Sequence, residues 1–159
     1  YFSTGNPGPD YNGAIRPGDN LFTASIVAID AHTGEYRWHL QQVHHDIWDY
    51  DMPAPPNLVT VMRDGRPVDA VAQITKQGFV FLFERTTGRP LFDIEERPVP
   101  QSKLPGEATA PTQPFPRKPR ALARMSFSYE DLVTAEDTTP AHAAGLESVV
   151  VTNEDGVTS

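Results

Sequence analysis

An internal repeat limits most strongly how this chain can fold. Its two copies, AIDAHTGEYRW from Ala28 and FLFERTTGRPLF from Phe81, are offset by 54 residues. Four pairs of positions align: Asp30 with Glu84, Thr33 with Thr87, Gly34 with Gly88, and Trp38 with Phe92. A repeat of this size built from short strands is typical of β-propeller blades, which bury their faces against their neighbours. The repeat therefore predicts an all-β fold made of repeated sheets.

The segments between turn residues predict short strands. Runs of Val, Ile, Phe and Thr alternate with turns drawn from 16 prolines and 11 glycines, which favours strands over long helices. The apolar run 79–84 is expected to be a strand buried on both faces. Asp64-Gly65 suits the positive φ angles of a tight hairpin. The predicted strands are 21–30, 36–43, 58–62, 68–74, 79–84 and 90–92.

Two segments predict irregular structure. Residues 1–20 hold four glycines, three prolines and three asparagines, so after a short strand they should form a long structured loop. Residues 98–119 hold seven prolines, which should exclude regular sheet and leave a loop that wraps the surface in an extended conformation. In the tail, a helix over 140–146 and a strand over 149–152 are predicted.

Charge and composition exclude several functions. The net charge is −8 and the 13 Lys and Arg are scattered, which argues against nucleic-acid binding and favours small neutral substrates. Without cysteine there is no disulfide, thiolate metal site or thiol nucleophile. No apolar run approaches the roughly 20 residues of a membrane helix. The chain starts at Tyr1 in an apparent strand, so we expect a cut N-terminus, with membrane association only through segments outside this chain.

Several motifs, in order, resemble one enzyme family. QVHHDIWDYD (42–51), TKQG (75–78), and ERPVPQS with PTQPFP resemble the glucose dehydrogenase branch of the quinoproteins that depend on pyrroloquinoline quinone (PQQ). GNPGPDYNG, RPGDN and the Asp-x-x-Thr-Gly-x-x-x-Trp hairpin resemble the wider family, including its methanol and ethanol dehydrogenases. The likeness is clear over residues 1–127 and weak in the tail.

This resemblance implies an architecture. The family folds as an eight-bladed β-propeller, so the chain should supply about two blades. Residues 1–127 would be part of the propeller, including the proline-rich loop 98–119, and residues 128–159 a divergent tail of the same domain. Trp38 resembles the family's tryptophan-docking residue, in which the indole of one blade packs against the next, and a structural role follows.

The resemblance also implies site residues for alcohol oxidation, which needs a base, a hydride acceptor and cations. Asp49 matches the family's general base, which also contacts PQQ and the bound divalent cation, Ca²⁺ or Mg²⁺. Asn6 matches an asparagine whose carbonyl is a ligand of that cation, and hard cations favour such oxygens. Lys76, 27 residues after Asp49, matches the lysine that contacts PQQ, where its ammonium would stabilise the reduced quinone.

Each assignment has a simpler alternative. A loop aspartate usually caps a nearby backbone amide, Asn6 alone is a turn residue, and Lys76 alone is a solvated loop lysine. Asp46 and Asp51 are expected to be structural or to shape the pocket. His44 and His45 are expected to point in opposite directions and to border the substrate pocket rather than share a metal.

The resemblance leads to one principal hypothesis and two alternatives. The first is a periplasmic enzyme that oxidises a glucose-like sugar or an alcohol through PQQ and passes electrons to a quinone or a cytochrome. The second is a non-catalytic propeller that keeps the tryptophan-docking repeats without cofactor. The third is that the chain alone is inactive, because two blades leave sheet edges exposed and do not enclose PQQ.

Overall fold

The structure is a computed structural model that describes residues 1–126, 128 and 131. The chain divides into two compact units, Tyr1–Met125 and Ser126–Ser159. In the second unit, the backbone N–H and hydroxyl of Ser128 donate to Asp131 Oδ2 at 2.7 and 3.0 Å. The helix predicted over 140–146 and the strand predicted over 149–152 lie outside the described residues.

The first unit consists of three antiparallel sheets. The first has the order β1-β2-β3, with β1 Phe2–Ser3, β2 Ser25–Ile29 and β3 Tyr36–Gln41. The second has the order β4-β5-β6, with β4 Asn57–Arg63, β5 Arg66–Ile74 and β6 Val80–Glu84. The third pairs β7 Ile94–Pro98 with β8 Thr112–Pro116. The described residues contain no α-helix, and the all-β prediction is confirmed.

The two repeat copies form the same turn, with equivalent backbone hydrogen bonds. In the first, Gly34 N–H donates to Asp30 O at 2.9 Å and Asp30 N–H to Glu35 O at 2.8 Å. In the second, the equivalent bonds, Gly88 to Glu84 and Glu84 to Arg89, measure 2.9 and 2.8 Å. Both glycines lie in the left-handed region, at φ 74 and 72°, where glycine meets no Cβ clash. The sequence repeat is therefore a structural repeat.

Trp38 joins the first sheet to the second. Its indole packs on Gly88, where a Cβ would lie 2.5 Å from the ring, and its Nε1 donates to Arg85 O at 3.1 Å. Its ring centroid lies 5.6 Å from that of Phe83. The structural role expected of Trp38 is confirmed: the indole of one repeat covers the turn of the next.

One hydrophobic core runs through the three sheets. Its buried members come from β2, β3, β5, the 75–79 turn and β6: Ile26, Ala28, Trp38, Val71, Phe79, Phe81 and Phe83. Half-buried Ile94 and Phe115 of the third sheet pack against them. On β6, Phe81 and Phe83 are buried while Val80 and Leu82 are half-buried. The expectation that this strand is buried on both faces was wrong, because one face alone meets the core.

Two predicted strand boundaries need correction. The segment 21–24 is a turn, since Thr23 N–H donates to Asn20 O at 2.9 Å, and β2 starts only at Ser25. Residues 90–92 form one isolated bridge, Phe83 with Pro90. Pro90 has no N–H to donate, which prevents a regular ladder there.

The proline-rich segment 98–119 was predicted to lack sheet, and this was wrong for β8. Pro98, Pro114 and Pro116 occupy the pairs Pro98↔Thr112, Glu96↔Pro114 and Ile94↔Pro116. The hydrogen bonds fall in the alternate pairs, as in Val99 N–H to Pro111 O and Arg117 N–H to Asp93 O. The N–H groups that Pro98, Pro114 and Pro116 lack therefore face away from the partner strand, so these three prolines cost the ribbon no bond.

Among the described residues, no helix combines the length and the apolar character needed to cross a membrane.

We predict that Gly88→Ala destabilises the protein more than Gly34→Ala. Both changes place a Cβ at positive φ, which costs about 1 kcal/mol, but Gly34 has open space around it whereas Gly88 is covered by Trp38. The overpacking should cost a further 1 to 3 kcal/mol or so. Urea unfolding of the full-length variants measures this difference, and equal losses would contradict the docking role of Trp38.

Candidate active site

The loop 42–51 is organised around the buried carboxylate of Asp46. Its Oδ1 accepts the backbone N–H of Trp48 at 2.9 Å and its Oδ2 accepts that of Tyr50 at 2.7 Å. Asp46 is fully buried, and burial raises the pKa of its carboxyl while the two amides act in the opposite direction. Asp46 is thus structural, one of the two roles expected for it.

Arg16 links this loop to the first long loop. Its guanidinium donates to the backbone oxygen of Asp46 at 2.5 Å, to Pro9 O and Asp10 O at 3.0 Å, and to Asn20 Oδ1 at 2.5 Å. A planar guanidinium with five N–H groups can serve several acceptors at once. The segment that carries Asn6 and the segment that carries Asp49 are therefore held in one structure.

Asp49 lies at the tip of the loop, between two aromatic residues. Trp48 and Tyr50 stack with ring centroids 5.9 Å apart and pack against the buried cluster of Ala24, Val43 and Met52. Asp49 itself has φ 60°, the left-handed conformation that Asp and Asn tolerate best among residues with a side chain. The aromatic pair thus fixes the loop on both sides of Asp49.

Lys76 lies in the tight turn between β5 and β6. Gly78 N–H donates to Thr75 O at 2.9 Å, Thr75 N–H donates to Phe79 O at 3.0 Å, and Gly78 has φ 87°. This is the arrangement of a short hairpin turn that ends in a left-handed residue. The TKQG sequence thus folds as it does because its glycine supplies that conformation.

The structure brings Lys76 and Asp49 together. Lys76 Nζ donates to Asp49 Oδ2 at 2.9 Å and lies 3.2 Å from Asp51 Oδ1. The two carboxylates raise the pKa of the Lys76 ammonium, which keeps it charged at neutral pH. The side chains of Lys76 and Asp49 are 43% and 32% exposed, respectively, so a ligand can reach both the ammonium and the carboxylate.

Asn6 is not brought into that contact. The preceding residue, Gly5, accepts the Ala24 N–H through its carbonyl at 2.8 Å, and the Ala24 carbonyl in turn accepts the Gln42 N–H at 2.8 Å. Asn6 is therefore tied to the start of the 42–51 loop through the backbone. Within the described part of the chain, its side chain forms no hydrogen bond with Asp49 or Lys76, so its metal role stays a prediction.

The two adjacent histidines face different surroundings. His44 Nδ1 lies 2.9 Å from Gln41 Oε1 and its Nε2 lies 3.1 Å from Glu96 Oε1. His45 is buried, and its Nδ1 lies 2.6 Å from Gly18 O. The predicted difference in orientation is confirmed.

Two buried side-chain oxygens belong to the second ion-pair partner of Lys76 and to its neighbour in the chain. Asp51 Oδ1 lies 3.2 Å from the Lys76 ammonium, whereas Gln77 Oε1 accepts no hydrogen bond from the described residues. Buried acceptors of this kind are costly unless a donor or a cation satisfies them. Carboxylate and amide oxygens are also the donors that hard cations take. No set of three His, Asp or Glu among the described residues has the geometry of a metal site.

The site is an open surface rather than an enclosed pocket. Cavities of about 500 and 290 Å³ lie at the β4–β5 hairpin and beside Trp38, and neither is lined by Asp49 or Lys76.

Sequence reasoning did not predict the Arg16 contacts, the proximity of Asp51 to Lys76 or the partners of His44. The RPGDN motif contains Arg16, but it did not indicate which groups accept hydrogen bonds from the Arg16 side chain.

Comparison with known proteins settles the family. The family model described as "Glucose/ethanol/alcohol dehydrogenase, beta-propeller domain", with the short name PQQ, matches residues 1–151. The chain belongs to the PQQ-dependent dehydrogenases. The predicted family is therefore confirmed, as is the assignment of this all-β chain to part of a β-propeller. Membership in this family implies PQQ as the cofactor.

Its relatives differ in substrate. The chain is 44% identical over 117 residues to quinoprotein glucose dehydrogenase of Gluconobacter oxydans, covering 72% of this chain and 14% of that protein. It is 42% identical over 118 residues to the glycerol dehydrogenase large subunit of the same organism, covering 72% and 16%. The structure of quinohemoprotein alcohol dehydrogenase from Comamonas testosteroni matches with a TM-score of 0.52 and 34% identity, covering 72% and 17%. The chain thus spans about a sixth of these PQQ-dependent relatives.

We predict that Asp46→Asn disorders the loop that carries Asp49. The Asn side chain keeps one oxygen acceptor, but its NH₂ group would face the second backbone N–H, so two donors would oppose each other. This should lower the free energy of unfolding by about 1 to 3 kcal/mol. Urea unfolding of the full-length protein measures this loss, with the exposed Asp64→Asn as the matched control. Equal stability of the two variants would show that Asp46 does not organise the loop.

Proposed function

We propose that the protein containing this chain oxidises a hydroxyl group of a small polar substrate, with a glucose-like sugar first and polyols or simple alcohols next. The contact between Lys76 Nζ and Asp49 Oδ2 at 2.9 Å carries the proposal. It joins the two positions that match the family's base and PQQ-contacting lysine. The relatives named for glucose, glycerol and alcohol support the range of substrates.

In this proposal, Asp49 removes the hydroxyl proton. Its carboxylate is one-third exposed, which allows a substrate to reach it. The hydrogen bonds between the Asp46 carboxylate and the loop backbone, together with the stacked rings of Trp48 and Tyr50, hold Asp49 in place. A base positioned in this way typically contributes 10²- to 10⁴-fold to the rate. When bound, PQQ supplies the quinone carbonyl that accepts the hydride.

Lys76 would hold the cofactor by charge. An ammonium with three donors can bond an oxygen of the cofactor while keeping its contact with Asp49. Its raised pKa ensures the positive charge that a reduced quinone oxygen requires. The buried Gln77 Oε1, which accepts no hydrogen bond from the described residues, would accept a further N–H or cationic group.

The oxygens available also suit a hard cation. Asp49 and Asn6 would contribute a carboxylate and an amide oxygen to Ca²⁺ or Mg²⁺, with the remaining ligands from the cofactor or other parts of the protein. Such a cation would act as a Lewis acid without a proton transfer. By analogy with the family, we propose a periplasmic enzyme that passes electrons to a quinone or a cytochrome.

We predict that Lys76→Ala in the full-length protein impairs PQQ-dependent reduction of an artificial dye by at least 100-fold or so, the scale of losing one electrostatic stabiliser of the transition state. Lys118→Ala, which removes an exposed lysine outside the site, is the matched control and should retain activity. The assay compares glucose, glycerol and ethanol at saturating PQQ and calcium. Wild-type activity in Lys76→Ala would refute the assignment of this residue.

A second variant separates binding from chemistry. Asn tolerates the positive φ of Asp49, so Asp49→Asn should keep the loop while removing the base. We expect kcat to fall while titration with PQQ, followed by absorbance, still shows a bound cofactor. If the wild-type protein binds no PQQ and oxidises none of the three substrates, the non-catalytic alternative is correct instead.

A further inference from the structure

The orientation of the Gln41 side chain determines which nitrogen of His44 carries a proton. Gln41 Nε2 donates to Asp19 O at 2.7 Å and to Thr23 O at 3.2 Å. Both acceptors are backbone carbonyls, so the amide cannot be reversed without losing both bonds. Gln41 Oε1 therefore faces His44 Nδ1 at 2.9 Å, and His44 must donate through Nδ1.

The second ring nitrogen of His44 also faces an acceptor. Its Nε2 lies 3.1 Å from Glu96 Oε1, and an ionised carboxylate can only accept a hydrogen bond. Both ring nitrogens of His44 thus lie within hydrogen-bonding distance of an acceptor, one on β3 and one on β7.

The backbone of His44 is held as well. Its N–H donates to Gln113 Oε1 at 2.8 Å, and its carbonyl accepts from Gln113 Nε2 at 2.7 Å. Gln113 lies on β8 and Glu96 on β7, so His44 joins the end of β3 to the two-stranded ribbon. Asp49 follows five residues later on the same loop.

We propose that His44 is a positioning residue that fixes the Asp49 loop against the β7–β8 ribbon through its contacts with Gln41, Glu96 and Gln113. This inference rests on the proposed function, because it assigns to His44 the placement of the base. The groups that contact the imidazole are Gln41 from β3 and Glu96 from β7, and Gln113 from β8 holds its backbone; Glu96 is the titratable one. The neighbouring Glu95 is paired with Arg97 and Arg117, so its charge is already compensated.

The consequence is that the placement of Asp49 depends on the side chain of His44. Without its contacts to Gln41 and Glu96, the start of the loop would be held less firmly and the base would be displaced. Displacement of a reacting group by about 1 Å can cost 10²-fold in rate. We therefore expect removal of these contacts to lower kcat and to leave KM little changed.

The test uses the full-length protein with three variants: His44→Gln, Glu96→Gln, and the exposed His32→Gln as a matched histidine control. We expect His44→Gln to lower kcat by roughly ten-fold, the scale of losing an outer contact of an active-site ligand, with KM little changed. Glu96→Gln, which keeps an oxygen acceptor for the His44 ring, should retain more of the activity than His44→Gln. His32→Gln should retain the wild-type kcat.

Amide hydrogen exchange provides a readout without cofactor or substrate. In the wild-type protein, peptides that cover residues 44–50 should exchange slowly relative to unstructured reference peptides. In His44→Gln they should exchange faster. This measurement still decides the proposal if the protein has no PQQ-dependent activity, so the two failures are distinguishable.

Two results would overturn the inference. One is unchanged exchange of residues 44–50 in His44→Gln. The other is a wild-type kcat in His44→Gln, which would mean that the contacts of the His44 ring do not place the base.

Discussion

The arrangement of the candidate site depends on one buried carboxylate. Asp46 uses both of its oxygens on the backbone amides of Trp48 and Tyr50, and so sets the path of the chain on either side of Asp49. Its backbone oxygen accepts from Arg16, which brings the first long loop to the same place. A buried acid of this kind is stable because each oxygen has a donor, whereas an unpaired one would be expelled or neutralised. Without this local closure, the contact between Lys76 and Asp49 would have no fixed geometry.

The sheets contribute rigidity in a different way. Each sheet of the repeat ends in the same glycine turn, and the indole of Trp38 covers the turn of the next sheet. The hairpin turn that carries Lys76 belongs to the second sheet, while the Asp49 loop leaves the first. The packing of Trp38 on Gly88 therefore affects the distance between the two charged residues, even though it lies away from both.

Features that depend on local chemistry could be predicted from the sequence. The repeat, the Asp64-Gly65 hairpin and the all-β fold follow from turn residues and strand patterns within short windows. The family followed from motifs, and the meeting of Lys76 with Asp49 agrees with it, although the roles of these residues and of Asn6 stay predictions. The structural role of Asp46 also depends on local chemistry, because its backbone amide partners lie only two and four residues away.

Features set by pairing register or distant contacts could not be predicted. Glu96 and Gln113 are 52 and 69 residues from His44, and no pattern in a single sequence links them. The prolines of 98–119 argued against a sheet because the sequence does not reveal which edge of the strand they face. Likewise, the turn at 21–24 looked like strand because its side chains are apolar, although Leu21 and Phe22 are exposed.

The positions of these prolines also affect how the ribbon meets other chains. Pro114 and Pro116 remove two donors from the outer edge of β8, and Pro98 removes one from the outer edge of β7. A foreign strand that approached either edge would find fewer amide donors than a regular strand offers, so it would form fewer hydrogen bonds with the ribbon. The residues that were expected to prevent strand structure instead make the edges of the ribbon poorer templates for strand addition.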